Sequence, residues 1–366
     1  MGFKTGIVGL PNVGKSTLFN ALTRTSSAQT ANFPFCTIDP NVGEVPVSDI
    51  RLQELSKIAC SKVIIPTKMT FVDIAGLVKG ASRGEGLGNK FLANIRECDA
   101  IIHVLRCFQD TEVTHVSGKI DPISDADTIE TELLLADLET LEKKINVIEK
   151  KSNSGDKEAK NTLVVLQRII RDLSDGVPVR EIDLEEEEKS LINSLQLLTA
   201  KPILYVCNVE ESAAAMGNQF SEKVEELANS RKASTVVISA VIEEEISKLE
   251  DPEDASLFLT DMGLKEPGLN RVIGSGYALL NLQTFFTVGP KEARAWTIPK
   301  DASAPEAAGK IHSDFEKGFI RAEIISYEDY IKYGGEQGAK EAGKMKIEGK
   351  SYVIKEGDIM HVLFNL

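Results

Sequence analysis

Short apolar runs bounded by turn residues recur along the chain, separated by stretches whose apolar residues fall at helical spacing. Phe3 to Val8, Met69 to Ile74, Asp99 to Arg106, Pro202 to Cys207 and Thr235 to Ile238 each read as a buried strand. Strands alternating with helices predict an α/β domain with a parallel sheet. Residues 128–196 break the alternation. Ile129, Leu133, Leu134, Leu138, Leu141, Ile145 and Ile148 recur at three- and four-residue steps, Ser152 to Asp156 forms a turn, and Leu163, Leu166, Ile169, Ile170 and Leu173 resume the spacing. That pattern predicts an antiparallel helical hairpin of coiled-coil type inserted into the α/β domain. Helices continue to about residue 282. Residues 283–366 then carry strand-like runs at Phe285–Val288, Ala293–Ile298, Phe319–Ile325 and His361–Phe364, with one helix from Pro305 to Ile311. The order β-β-α-β-β predicts a small mixed sheet with a helix on one face. The expected organisation is a first domain over 1–282, containing the insert at 128–196, and a second over 283–366.

Charge and composition narrow the partners. The 366 residues carry a formal charge of −14, concentrated in residues 1–282. A mean field of that sign disfavours general binding to nucleic acid or anionic membranes. The hairpin tip is the exception. Lys143, Lys144, Lys150, Lys151, Lys157, Lys160, Arg168 and Arg171 outnumber Glu149, Asp156 and Glu158. This is a candidate RNA-contact patch, or else a solvated helical face. Cys36, Cys60, Cys98, Cys107 and Cys207 are scattered without metal-like spacing, which suggests reduced thiols and a cytoplasmic location. No apolar stretch approaches the ~18 residues of a membrane span, and no signal peptide precedes the first strand.

Between the first strand and the first helix stands Gly9-Leu10-Pro11-Asn12-Val13-Gly14-Lys15-Ser16, the pattern G-x-x-x-x-G-K-S. Its glycines let successive backbone N–H groups converge on an anion, and the helix N-terminus adds partial positive charge. Lys15 is placed to reach β- and γ-phosphates, and the Ser16 hydroxyl to ligate Mg²⁺. Thr37 is a candidate γ-phosphate sensor acting through Mg²⁺, with Thr30 a nearby alternative. Asp73 ends a strand within D-x-x-G, placed to hold Mg²⁺ through water, and the Gly76 N–H is placed to report on the γ-phosphate. Leu77 follows where related GTPases keep a glutamine that orients water. Either hydrolysis is slow or another group acts there, and His115 is one candidate. The segment between them, Lys79 to Gly88, is dense in glycine.

At the end of the Pro202–Cys207 strand, Asn208-Val209-Glu210-Glu211 replaces the guanine-reading N-K-x-D of GTPases. A longer acid at 211 displaces the carboxylate oxygens, and sites built on buried hydrogen bonds discriminate strongly. The expectation is a base site shifted towards ATP, the alternative a GTP site that tolerates glutamate. Ser239-Ala240-Val241 stands where GTPases keep a base-contacting S-A-K.

These segments, GLPNVGKST, FPFCTIDPN, DIAGLVKGASRGEGLGNKF and NVEE, resemble the YchF-type, Obg-related ATPase family over essentially the whole chain. The resemblance implies a Ras-like P-loop NTPase domain, a coiled-coil arm, and a C-terminal TGS domain of β-grasp fold. It also implies preferential ATP binding, slow hydrolysis, and a ribosome-associated role in translation and stress responses. Its phosphate loop maps onto Asn12, Val13, Gly14, Lys15, Ser16 and Thr17. Its Mg²⁺ ligands map onto Ser16 and Thr37, and its altered base motif onto Asn208, Val209 and Glu211. His115 matches a histidine proposed to take over catalysis, and Asn12 matches an asparagine that binds K⁺ in potassium-stimulated relatives.

Overall fold

A computed structural model of the chain describes residues 3–30, 42–74, 87–109, 120–249 and 251–365. In chain order the elements begin with β1 (Lys4–Val8), α1 (Lys15–Thr30), β2 (Val42–Pro46), α2 (Ile50–Ala59), β3 (Val63–Ile65), β4 (Lys68–Asp73), α3 (Leu87–Arg96) and β5 (Ala100–Arg106). There follow α4 (Pro122–Asn153), α5 (Lys157–Ser174), α6 (Glu186–Leu195), β6 (Ile203–Asn208), α7 (Gln219–Ser230), β7 (Ser234–Ile238), α8 (Ala240–Ile246), α9 (Pro252–Asp261) and α10 (Gly268–Leu279). The chain ends with β8 (Leu282–Val288), β9 (Glu292–Pro299), α11 (Ala304–Ile311), α12 (Ser313–Lys317), β10 (Phe319–Ile325), α13 (Tyr327–Lys332), α14 (Glu336–Glu341), β11 (Lys346–Glu348) and β12 (Ile359–Phe364). Among the described residues no helix is long and apolar enough to cross a membrane.

Two units form. One comprises residues 3–45 and 70–276. Its six-stranded sheet has the order β2-β4-β1-β5-β6-β7. From β4 to β7 every pairing is parallel. Every residue of β5 and β6 is buried, as expected of strands covered by helices on both faces. β1 continues to β4 on one side and has β5 on the other, so the strand order reverses beside it. In open α/β sheets that reversal opens a crevice at the strands' carboxyl ends.

The predicted hairpin is α4 and α5. Asp121 caps α4 by accepting from the Ser124 N–H at 3.2 Å, and Asp156 caps α5 through the Ala159 N–H at 3.1 Å. Leu141, Ile148, Leu166, Ile169 and Leu173 are buried along its seam. The helix begins at Pro122, earlier than the expected 128. Ala126, Ile129, Glu130 and Leu133 on its first turns are buried, so the root of the arm is part of the core. Asp137 is also fully buried, accepting from the Leu198 and Thr199 N–H groups at 2.8 Å each and from the Thr199 hydroxyl at 2.7 Å.

At that root the core is polar. Glu130 pairs with Arg180 at 2.6 Å, and Arg231 pairs with Asp127 at 2.8 Å. His103 on β5 is 1 % exposed, its ring 5.7 Å from that of Tyr205 on β6. Burial, reinforced by the Arg180 and Arg231 cations, pushes the His103 imidazole down to about 3, so it is neutral.

The second unit comprises residues 46–69 and 277–366. Its sheet has the order β11-β10-β12-β8-β9-β3. β8 and β9 form an antiparallel hairpin, β12 lies parallel to β8, and β10 is antiparallel to β12. α11 packs across one face, where Ala304, Ala307 and Ala308 are fully buried with Phe285, Ile298, Phe319 and Met360. Small side chains bring this helix close to the sheet. Its N-terminus is a capping box between Ser303 and Glu306. A parallel central pair flanked by antiparallel strands, with one helix across it, is the β-grasp arrangement.

Two expectations need correction. Residues 46–69 were expected in the nucleotide-binding domain, yet β3 pairs in parallel with β9, and Leu52 and Leu55 of α2 bury against Phe286, Ala293 and Ala295 on the second face of the C-terminal sheet. The sheet's second apolar face is thus covered by a distant part of the chain. The C-terminal region also holds β11, α12, α13 and α14, beyond the expected β-β-α-β-β.

Candidate nucleotide-binding site

The carboxyl end of β1 turns into the loop Gly9–Gly14 and then into α1. Asn12 at φ 63° and Gly14 at φ 92° both lie in the left-handed region. Gly14 has a second reason to be glycine, since a Cβ there would stand 2.2 Å from Asn208 Nδ2. Val13 is buried and pins the loop to the core. The helix closes with Leu18 N–H donating to the Gly14 carbonyl at 3.0 Å. The first turn of α1 carries no acidic residue, so the positive end of the helix is left for an external anion.

Lys15 Nζ lies 3.7 Å from Asp73 Oδ1, on side chains 11 % and 18 % exposed. Asp73 Oδ1 is buried without a hydrogen-bond partner among the described residues. An anionic oxygen so placed, with the exposed Ser16 hydroxyl at the start of α1, offers the hard oxygen donors that Mg²⁺ takes when it also holds phosphate. Thr37, Gly76, Leu77 and His115 lie outside the described residues.

The base end differs from the expectation. Asn208 is 5 % exposed. Its Nδ2 donates to the Val13 carbonyl at 2.9 Å, and its Oδ1 accepts from the Ala240 N–H at 2.9 Å. The side chain expected to meet adenine therefore braces the phosphate loop against the Ser239–Ala240 turn. Val209 is 2 % exposed and donates its N–H to the Ile238 carbonyl at 2.8 Å, so its side chain is core rather than a lid on a base. Glu210 is held by the Asn218 amide at 3.0 Å, and Asn218 also donates to the Cys107 carbonyl at 2.6 Å. Glu211 is exposed and begins the short 3₁₀ turn Glu211–Ala213. Asn12, Val13, Gly14, Lys15, Ser16 and Thr17 thus stand together with Asp73 and Asn208, with Glu211 on the solvent side of the same strand end.

Two further side chains tie together the elements around this strand end and were not singled out in the sequence. Asn218 reads as an ordinary helix cap. Glu243 on α8 is 1 % exposed and accepts from the Gly268 and Leu269 N–H groups at 2.7 and 3.1 Å. Burial raises its carboxyl above the usual range, opposed by those two backbone donors and by Arg271.

A parallel sheet with this loop at its switch point, a lysine facing a strand-end aspartate, and an asparagine brace define a P-loop nucleoside triphosphatase. Residues 4–151 match the family described as 50S ribosome-binding GTPase, and residues 282–365 match the YchF GTPase C-terminal family, whose own description is a protein of unknown function. The chain is 56% identical over 366 residues, the whole of both sequences, to the Ribosome-binding ATPase YchF of Escherichia coli O157:H7. It is 52% identical over 368 aligned positions, again the whole of both, to the protein of that name from Bacillus subtilis strain 168. The solved Schizosaccharomyces pombe YchF GTPase is 39% identical and superposes with a TM-score of 0.90 over 99% of this chain and 98% of that one. The chain belongs to the YchF family.

Proposed function

We propose that this protein is a ribosome-binding ATPase that uses ATP and ADP as the two states of a switch. The observation that carries the reading is the brace Val13–Asn208–Ala240, which ties a complete phosphate loop to an altered base motif ending in Glu211. Relatives named Ribosome-binding ATPase YchF align with it from end to end. ATP is preferred over GTP because the acid at 211 is one methylene longer than the aspartate that pairs guanine N1–H and N2–H₂.

The chain's own groups act as follows. Backbone N–H groups of residues 12–17 and the α1 N-terminus hold the β- and γ-phosphates, and Lys15 neutralises charge on them. Ser16 and Thr37, with Asp73 through water, would hold Mg²⁺, which would supply further positive charge to the phosphate oxygens. The Gly76 N–H reports the γ-phosphate, and its loss releases the adjoining segment. Leu77 offers no hydrogen bond to water, so turnover is slow and His115 positions the nucleophile. Asn12 would help hold K⁺, which would supply positive charge to the phosphates. On the ribosome the contact is with the large subunit. The exposed Lys150, Lys151, Lys157 and Lys160 at the arm tip, with Lys144 and Arg171 further down the arm, meet RNA phosphates, and the compartment is the cytoplasm.

Calorimetry with ATP and GTP in Mg²⁺ and K⁺, followed by ribosome co-sedimentation with ATP or ADP, tests the reading. ATP binding at least tenfold tighter than GTP, with sedimentation that depends on which nucleotide is present, is the expected result. Tighter GTP binding would favour an ordinary GTPase with an unusual base pocket. Equal ribosome affinity with ATP and ADP would leave an adaptor whose hydrolysis is incidental. His115→Ala turning over at the wild-type rate, or turnover indifferent to replacing K⁺ by Na⁺, would remove those two assignments.

A further inference from the structure

The turn Ser239–Ala240 is held from two directions. At its start, the Ala240 N–H donates to Asn208 Oδ1, and Asn208 Nδ2 in turn grips the Val13 carbonyl of the phosphate loop. One helical turn later on α8, Glu243 puts its carboxylate on the N-terminus of α10, accepting from Gly268 N–H at 2.7 Å and Leu269 N–H at 3.1 Å. α8 spans only residues Ala240–Ile246. A helix this short does not hold itself in place, so its position is set by what it is tied to. The tie is a buried carboxyl, 1 % exposed, which costs free energy unless its partners are well placed. Here they are two free N–H groups at the positive end of a twelve-residue helix.

Gly268 shows how closely the two helices fit. A Cβ at that position would lie 2.7 Å from Glu243 Oε1 and 2.7 Å from Ile238 Cγ2. Ile238 is the last residue of β7, and its carbonyl accepts from Val209 N–H in the base motif. The α10 N-terminus, the Glu243 carboxylate and the end of β7 are thus packed to contact, and the base-side turn sits directly on them.

We propose that Glu243 is a positioning residue for the base end of the nucleotide site, holding the Ser239–Ala240 turn in register with Asn208 by its grip on the α10 N-terminus. The inference rests on the nucleotide-site reading above. Glu243 touches no nucleotide itself. It acts through α8 and the Ala240 N–H, so its influence falls first on the base-side turn and reaches the phosphate loop only through Asn208 and the Val13 carbonyl, not through the loop's own N–H groups. Binding of a nucleoside triphosphate and binding of a bare triphosphate therefore respond differently to its loss.

The test uses the full chain with Mg²⁺ and compares ATP with inorganic tripolyphosphate by calorimetry, alongside steady-state kcat and KM. Glu243→Gln keeps the volume and one acceptor oxygen but turns an amide N–H towards a backbone N–H. Glu243→Ala removes both acceptors, and Gly268→Ala displaces the carboxylate from the opposite helix. ATP affinity is expected to fall about tenfold in Glu243→Ala and Gly268→Ala and less in Glu243→Gln. Tripolyphosphate affinity should stay at the wild-type value, with KM rising and kcat within about twofold, because only ground-state contacts to the base are disturbed. Unchanged ATP affinity in the Gln variant and in Gly268→Ala would overturn the assignment. So would an equal loss for ATP and tripolyphosphate, which would mark a merely structural role. A wild-type protein that binds neither ligand would instead remove the nucleotide reading beneath it.

Discussion

Asn208 Nδ2 and the Val13 carbonyl lie 2.9 Å apart across 195 residues of sequence, and the same side chain takes the Ala240 N–H on its other face. One buried amide therefore sets the distance between the phosphate loop and the base-side turn. Asn208→Ala leaves a buried carbonyl and N–H without this partner, a loss of about 1–3 kcal/mol for each. ATP affinity measured calorimetrically should drop roughly 10- to 100-fold, with the melting temperature lowered as well. Gly14→Ala should be more severe, because its Cβ would sit 2.2 Å from Asn208 Nδ2 at a φ of +92°.

Asp137 fastens the arm to the sheet domain through three hydrogen bonds, to the Leu198 and Thr199 N–H groups and the Thr199 hydroxyl. Asp137→Ala strands three buried donors and should destabilise the protein by about 3 kcal/mol or more. Thr199→Val removes one of those bonds and strands the Val179 N–H that the hydroxyl accepts at 3.3 Å, and should cost about 1–3 kcal/mol, less than Asp137→Ala. Urea unfolding of the two variants checks the order.

His103 gives the protein a defined acid sensitivity. Its folded-state value of about 3 lies below the 6.5 of a free imidazole. Between those values the unfolded chain takes up a proton that the folded chain refuses. This group's contribution is thus complete above about pH 6.5 and is lost as the pH falls, at ~1.4 kcal/mol per unit. His103→Gln removes that slope. Comparing urea midpoints at pH 7.5 and 5.5 should show the wild type losing about 1.4 kcal/mol more than the variant. Parallel losses in both would show that His103 does not resist protonation.

The C-terminal sheet depends on residues 46–69. Leu55 is fully buried against Phe286, Ala293 and Ile325, and Arg51 joins Asp49 at 2.7 Å and Glu356 at 2.5 Å. Leu55→Ala should cost about 2–5 kcal/mol. Residues 277–366 expressed alone would expose that apolar face and the edge of β9, so a cooperative melting transition should be absent. A sharp transition in that fragment would contradict the packing described.

The phosphate loop was fully legible in the sequence because its chemistry is local. Eight contiguous residues, Gly9 to Ser16, with a strand before and a helix after, define it, and the two glycines have few other uses in that pattern. The central strands β1, β5 and β6 were legible for a similar reason, since strands covered on both faces are mostly apolar, whereas the short or half-exposed β2, β3 and β11 left no such run. The arm announced itself by periodicity, although not its first turns, since residues 122–127 have no seam to repeat and bury against the sheet instead.

Tertiary structure decided what each residue does there. Asn208 and Val209 read as base contacts when only the strand end is known. In the fold one is a brace and the other is core, because the nearest unpaired backbone groups and apolar atoms come from residues 13, 238 and 240. β3 reads as part of the first domain but joins β9, with Ser61 donating to the Gly289 carbonyl at 2.7 Å across 228 residues. Glu243 belongs to no motif in the sequence, yet it lies buried on the α10 N-terminus. Periodicity and turn chemistry are properties of neighbours along the chain. Which distant N–H meets which carboxylate depends on shape and burial after the helices have packed, and no local pattern encodes it.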